Sequence, residues 1–168
     1  QVREKHLEHD EFLDEAKKVV AICRAHGVKC VINDAVDIAV ESGADGVHVG
    51  QEDLEAGLAR ERLGPDRIIG VSAHNAEEAR RAQAAGADYI GSGAAFATST
   101  KENASPIGPE GLRSVVEAVD IPVVAIGGIT RENISELDGL GLAGVAVVSA
   151  LFAQPDVCLL YTSPSPRD

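Results

Sequence analysis

Asn33-Asp34 and Gln51-Glu52-Asp53 each follow a short apolar run, so each places a carboxylate where a strand would end. If the two runs are adjacent parallel strands, Asp34 and Asp53 lie side by side and can share one hard cation. One or two carboxylates, with water and a substrate phosphate completing the shell, is a common Mg2+ arrangement. The structural alternative is that each aspartate caps the helical run that follows it. Spacing alone leaves both readings open.

Between Ser92 and Ser105, small residues lead into Thr98-Ser99-Thr100-Lys101. Small side chains let backbone N–H groups approach a phosphate, hydroxyls add donors, and Lys101 adds a point charge. The stretch lacks the glycine spacing of a nucleotide-binding P-loop, and its bland reading is a polar loop. Gly127-Gly128 and Val148-Ser149 each end a further apolar run. They would suit a phosphate site built from backbone amides, although a double glycine also makes a simple tight turn. Arg3 and Lys5, two residues apart, share one side of an extended segment and with Gln1 form a polar face suited to a diphosphate, or else an exposed basic edge. His48, between Val47 and Val49, reads as an inward hydrogen-bonded residue in preference to a base. His74 reads as a surface residue near a helix start.

The elements that must hold these residues alternate. Residues 11–25 read as an amphipathic helix, with Phe12, Ala16, Val19, Val20 and Cys23 on one face and Gly27 as the stop. Residues 29–33 read as a strand, 34–41 as a helix, 46–50 as a strand and 54–62 as a helix. Strand 67–72, helix 76–85, strand 89–91 and the long loop 92–109 follow. Helix 110–118, strand 122–126, helix 131–137 and strand 144–148 complete the run. The strands are short apolar segments without strict alternation, which is the mark of parallel strands buried on both faces. Ser42-Gly43-Ala44-Asp45-Gly46-Val47 recurs as Ala85-Gly86-Ala87-Asp88-Tyr89-Ile90, and weakly over residues 139–145. Each copy reads as a helix-to-strand turn, which leaves the opposite, C-terminal end of the strands for function.

Composition narrows the classes. The 168 residues are 45% hydrophobic, enough for one packed domain, and the net charge of −12 argues against nucleic acid or an anionic membrane as partner. An anionic substrate must then be held by local cations, a metal or backbone amides. No secretory leader opens the chain and no apolar run is long enough to span a bilayer, so a cytoplasmic protein is expected. Cys23, Cys30 and Cys158 lack metal-ligand spacing, and the first two read as packing residues. Residues 158–168 back-translate to a transposase sequencing-adapter read, so they are set apart as a non-native tail from a domain over residues 1–157.

Gln1-Val2-Arg3-Glu4-Lys5, Val31-Ile32-Asn33-Asp34, Gly46-Val47-His48-Val49-Gly50-Gln51-Glu52-Asp53, Gly70-Val71-Ser72-Ala73-His74, Thr98-Ser99-Thr100-Lys101 and Ala125-Ile126-Gly127-Gly128-Ile129 occur in that order. Together they resemble the thiamine-phosphate synthase family, from residue 1 to about residue 156. Val2 stands where leucine is usual, and Ala94-Ala95-Phe96-Ala97 replaces a more proline-rich approach to Thr98, which makes that loop less preorganised.

The resemblance implies a (β/α)8 TIM barrel, here incomplete with about six to seven of its eight strands, lacking the strand–helix–strand start and the last helix. It implies coupling of 4-amino-5-hydroxymethyl-2-methylpyrimidine diphosphate with a thiazole phosphate to give thiamine phosphate and pyrophosphate, with Mg2+ as cofactor. By the same resemblance Gln1, Arg3, Lys5, Asn33 and Ser72 hold the pyrimidine diphosphate, and Asp34 and Asp53 hold the metal. Lys101 then acts on the leaving diphosphate, and Thr98, Thr100, Gly128, Val148 and Ser149 hold the thiazole phosphate. Lys101, Arg3, Lys5 and Ser72 are the residues expected to carry catalysis. A thiazole tautomerase-like paralogue, whose catalytic histidine would fall at about Ala94, and a non-catalytic phosphate-ligand-binding barrel are the rival readings. Homo-oligomerisation stays open. With strands missing, an open or gapped barrel is expected.

Overall fold

Six strands run parallel in the order β1 to β6: β1 Val31–Asn33, β2 Gly46–Val49, β3 Ile68–Ala73, β4 Tyr89–Gly93, β5 Val123–Ile126 and β6 Gly144–Ala146. The computed structural model describes residues 1–51, 56–98, 105–153 and 155. Helices fill the connections: α1 His9–Ala25 precedes β1, then come α2 Val36–Ser42, α3 Ala56–Leu63, α4 Ala76–Ala84 and α5 Gly108–Val116, with α6 Ser149–Phe152 after β6. The connection from β5 to β6 holds only a 3-10 turn, Ile134–Leu137, where the sequence predicts a longer helix over residues 131–137. A backbone bridge from Val2 to Ile32 adds the start of the chain beside β1, parallel to it.

Register sorts the sheet into two unlike faces, because side chains alternate along a strand. One face carries Ile32, Val47, Val49, Ile69, Val71, Ala73, Ile90, Val123 and Ala125, all buried. It packs against Phe12, Ala16 and Val20 of α1, Ile38 and Ala39 of α2, Ala59 of α3, Ala79 and Ala82 of α4 and Val115 of α5, so these helices cover it. On the other face Asn33 aligns with His48, His48 with Gly70, Gly70 with Tyr89, and Ser72 with Gly91. Val31, Asn33, Ile68, Ser72 and Val124 on this face are only half-buried. The sequence expectation of strands buried on both faces therefore holds for one face and not fully for the other. Among the described residues the sheet is an open curl, so its concave side is not fully covered.

The outer strand β6 shows the same effect. It is shorter than the expected strand 144–148, and Ile126, Val145, Val148 and Phe152 around it remain exposed. At the other end of the curl, the bridged and partly buried Val2 packs against the core. No helix among the described residues is long and apolar enough to cross a membrane. The tail over residues 158–168 lies outside the described residues.

Candidate active site

Parallel pairing of the chain start with β1 decides where the basic run goes. Val2 donates its N–H to Val31 and accepts from Asn33, each at 2.9 Å. The segment therefore runs in the direction of β1, and Arg3 to Lys5 continue past the C-terminal end of that strand. Gln1, Arg3 and Lys5 are exposed while Val2 and Glu4 are half-buried, the alternation expected of an extended segment showing one polar face. Gln1 Nε2 donates to Asn33 Oδ1 at 2.6 Å. Two of the residues predicted to share a ligand are thus in direct contact.

From Asn33 the cluster continues across the concave face. His48 Nε2 lies 3.0 Å from Ser72 Oγ, and His48 Nδ1 lies 2.8 Å from the Tyr89 hydroxyl. Ser72 is half-buried near the C-terminal end of β3, and its carbonyl accepts from Gln51 Nε2 at 2.6 Å. Burial lowers the His48 pKa to about 4, so the ring is neutral at physiological pH. Burial likewise raises the Tyr89 hydroxyl to about 12. The expectation that His48 is an inward hydrogen-bonded residue is met. A neutral imidazole with both nitrogens engaged is poorly placed to accept a proton from substrate.

Asp34 follows β1 with a left-handed backbone (φ 64°), and its N–H donates to the His48 carbonyl at 2.8 Å. Ala35, not Asp34, occupies the N-cap position of α2, and its side chain makes no capping hydrogen bond. Asp34 thus stands one residue before the N-cap. It is a half-buried carboxylate at the C-terminal end of β1, a hard oxygen donor suited to Mg2+. Among the described residues no three His, Cys, Asp or Glu side chains form a metal cage. That is compatible with an ion held by few protein ligands together with substrate and water. Asp53, its predicted partner, lies outside the described residues, as do Thr100 and Lys101.

The loops after β4 and β5 are joined through their backbones. Ala95 N–H donates to Ile126 at 2.8 Å, and Phe96 N–H donates to Gly127 at 3.0 Å. Gly128 has φ 69°, and a Cβ there would sit 2.5 Å from the Ala97 carbonyl oxygen, so a side chain would push the two loops apart. The double glycine is thus needed for close packing beside Thr98. Asn133 Nδ2 donates to the Gly128 carbonyl at 2.9 Å and steadies this corner. Val148 and Ser149 lie at the start of α6 and are exposed, but α6 is four residues long. They sit at the same end of the sheet as the rest, on its more exposed side.

His74 is exposed and bonded to Glu78, as a surface residue should be. Cys30 is buried and Cys23 half-buried, in keeping with packing roles. Tyr89 was not singled out by residue type or spacing. Its signal lies in the strand glycines Gly70 and Gly91, which mark a close approach by a neighbouring group.

This arrangement has relatives. The thiamine monophosphate synthase family matches residues 1–151. The chain is 55% identical over 157 residues to the thiamine biosynthetic bifunctional enzyme TH1 of Arabidopsis thaliana, covering 92% of this chain and 30% of that enzyme. It is 50% identical over 151 residues to a thiamine-phosphate synthase of Methanobrevibacter smithii, covering 90% of this chain and 72% of the relative. It therefore spans less than a third of the plant enzyme and nearly three quarters of the archaeal one. Thiamine phosphate pyrophosphorylase from Pyrococcus furiosus superposes with a TM-score of 0.85 at 41% identity, over 92% of this chain and 74% of that one. With the fold, the order of motifs and most of the length in agreement, the chain belongs to the thiamine monophosphate synthase family.

Proposed function

We propose that this chain is a thiamine-phosphate synthase, joining 4-amino-5-hydroxymethyl-2-methylpyrimidine diphosphate to thiazole phosphate at the C-terminal end of its sheet. The observation that carries the reading is the contiguous cluster Gln1, Asn33, His48 and Ser72, which shares one concave face with Arg3 above it. In the reaction the methylene C–O bond breaks and its electron pair leaves with the diphosphate. The thiazole nitrogen supplies the pair for the new C–N bond, so thiamine phosphate and pyrophosphate account for all atoms.

Negative charge grows on the departing diphosphate, and preorganised positive charge is what lowers such a barrier. Asp34 and Asp53 would hold Mg2+, which neutralises part of that charge when bound. Arg3, Lys5 and Lys101 are the protein's own cations for the same oxygens, while Gln1, Asn33 and Ser72 orient the pyrimidine. Thr98, Thr100, Gly128, Val148 and Ser149 would take the thiazole phosphate through hydroxyls and backbone amides. No step needs a strong base, in keeping with a His48 ring that is neutral and bonded on both nitrogens. Ala94, where a tautomerase would need histidine, is a buried methyl.

The test is pyrophosphate release with both substrates present. Release should stop when divalent ions are chelated and return with added Mg2+. Turnover that persists in chelator would refute the metal assignment, and no turnover with Mg2+ and both substrates would refute the reaction.

A further inference from the structure

The Ser72 hydroxyl can give or accept a hydrogen bond, and the residues behind it decide which. Tyr89, His48 and Ser72 form a column that rises from inside the curl to the C-terminal mouth, with contacts of 2.8 Å and 3.0 Å. A neutral imidazole has one donor nitrogen and one acceptor nitrogen, so the role at Nδ1 dictates the role at Nε2. A phenol is more acidic than an aliphatic hydroxyl and is the better donor of the two. Tyr89 therefore gives its hydrogen to Nδ1, and Nε2–H gives its own to Ser72 Oγ. With that lone pair of Ser72 filled from behind, its hydrogen is turned forward.

The space for this column is built into the strands. A Cβ on Gly70 would sit 2.4 Å from His48 Nδ1 and 2.2 Å from Tyr89 Cζ, and one on Gly91 would sit 2.7 Å from His48 Cε1. The two glycines therefore hold open the volume that the imidazole and phenol rings occupy. The high Tyr89 pKa keeps its hydrogen in place, and burial keeps His48 neutral.

We infer that His48 and Tyr89 are positioning residues that hold the Ser72 hydroxyl as a fixed hydrogen-bond donor, so that the ligand atom it meets must be an acceptor. This rests on the reading that Ser72 faces the pyrimidine diphosphate. On that reading the partner is a ring nitrogen or a phosphate oxygen, and an analogue presenting an N–H at that point is rejected.

Two measurements on the full chain test it. Long-range 1H–15N spectra of 15N-histidine-labelled protein, with the His48 signals assigned by their loss in His48→Gln, should show the Nε2–H tautomer at neutral pH. In Tyr89→Phe the Nδ1–H form should grow, since its acceptor site has lost its donor. Calorimetry with the pyrimidine diphosphate should show Ser72→Ala weakening binding roughly tenfold, the scale of one hydrogen bond. Tyr89→Phe should weaken it in the same direction, and the double variant should be no worse than Ser72→Ala alone. An Nδ1–H tautomer in the unaltered protein, additive losses in the double variant, or a Tyr89→Phe protein that folds and binds normally would overturn the inference while leaving the enzyme assignment standing. Unchanged binding by Ser72→Ala would instead remove the site reading on which it rests.

Discussion

The two ends of the parallel sheet are held by different kinds of residue. At the N-terminal end, Asp45 and Asp88 occupy equivalent places in the repeated Gly-Ala-Asp turn. Asp45 Oδ2 accepts the Cys30 N–H at 2.9 Å, while the Asp45 N–H donates to the Cys30 carbonyl at 2.8 Å. Asp88 repeats the pattern on Ile69 at 2.7 Å and 2.8 Å. Lys29 closes the first carboxylate and Arg60 the second. Each carboxylate thus ties the start of the neighbouring strand to the turn. At the C-terminal end, polar side chains meet one another instead, as in Gln1 with Asn33 and His48 with Ser72. Aspartates at one end secure the strands; at the other, amides, hydroxyls and an imidazole bond to one another.

The weak third copy of the turn shows what the aspartate contributes. Ala143 stands in its place, keeping the N–H bond to the Val123 carbonyl at 2.8 Å but having no carboxylate to complete the clamp. The strand that follows, β6, is three residues long and largely exposed. Its position at the outside of the sheet adds to this, so the missing clamp is one of two reasons for its thin packing.

If this division is right, changes at the two ends should separate activity from stability. The largest effect belongs to Lys101→Ala, which should lower kcat by roughly 10²- to 10³-fold, the scale of losing one preorganised electrostatic partner. Its urea midpoint should stay put, and unchanged turnover would break the assignment. Asp88→Ala should cost about 1–3 kcal/mol in urea unfolding, because the Ile69 N–H loses its acceptor and Arg60 its partner, with ligand affinity intact. A loss of affinity without a loss of stability would erase the contrast between the ends.

Asn75→Ala is a smaller test, and it sharpens the comparison because Asn75 follows the C-terminal end of β3 yet serves structure. Its side chain accepts from the Glu78 N–H at 3.0 Å as the N-cap of α4, and removal should cost about 1 kcal/mol of stability with little effect on turnover. The smallest effect concerns acid. Hydrogen bonding from Lys29 and the Cys30 N–H holds the Asp45 carboxyl below its ordinary value of 3.8. Its contribution is therefore present above that pH and lost as pH falls through the lower folded value. Asp45→Asn should flatten this part of the acid unfolding curve, and an unchanged curve would mean the clamp is not what titrates.

Much of this was legible in residue order. The alternation of helix and strand, the Gly-Ala-Asp turns and the packing face of α1 follow from local pattern, because short apolar runs and glycine stops specify their own geometry. The predicted role of Asp34 as cap or ligand was not legible, since both readings need the same residue at the same spacing. The backbone of α2 puts Ala35 at the N-cap and Asp34 one residue before it. The helix predicted over residues 131–137 contracted to a 3-10 turn, where Asn133 is drawn to the Gly128 carbonyl and the Thr130 N–H.

By itself, then, the sequence determined the parallel α/β architecture and the family to which the chain belongs. These depend on local periodicity and on motifs whose spacing survives without coordinates. The tertiary structure decided which face of each strand is covered by helices and which side chains touch. Gln1 reaches Asn33 across 31 intervening residues, since the bond joins positions 32 apart, and Tyr89 reaches His48 from 41 residues away. Contacts of that range depend on strand register, and register is set only when the whole sheet packs against its helices.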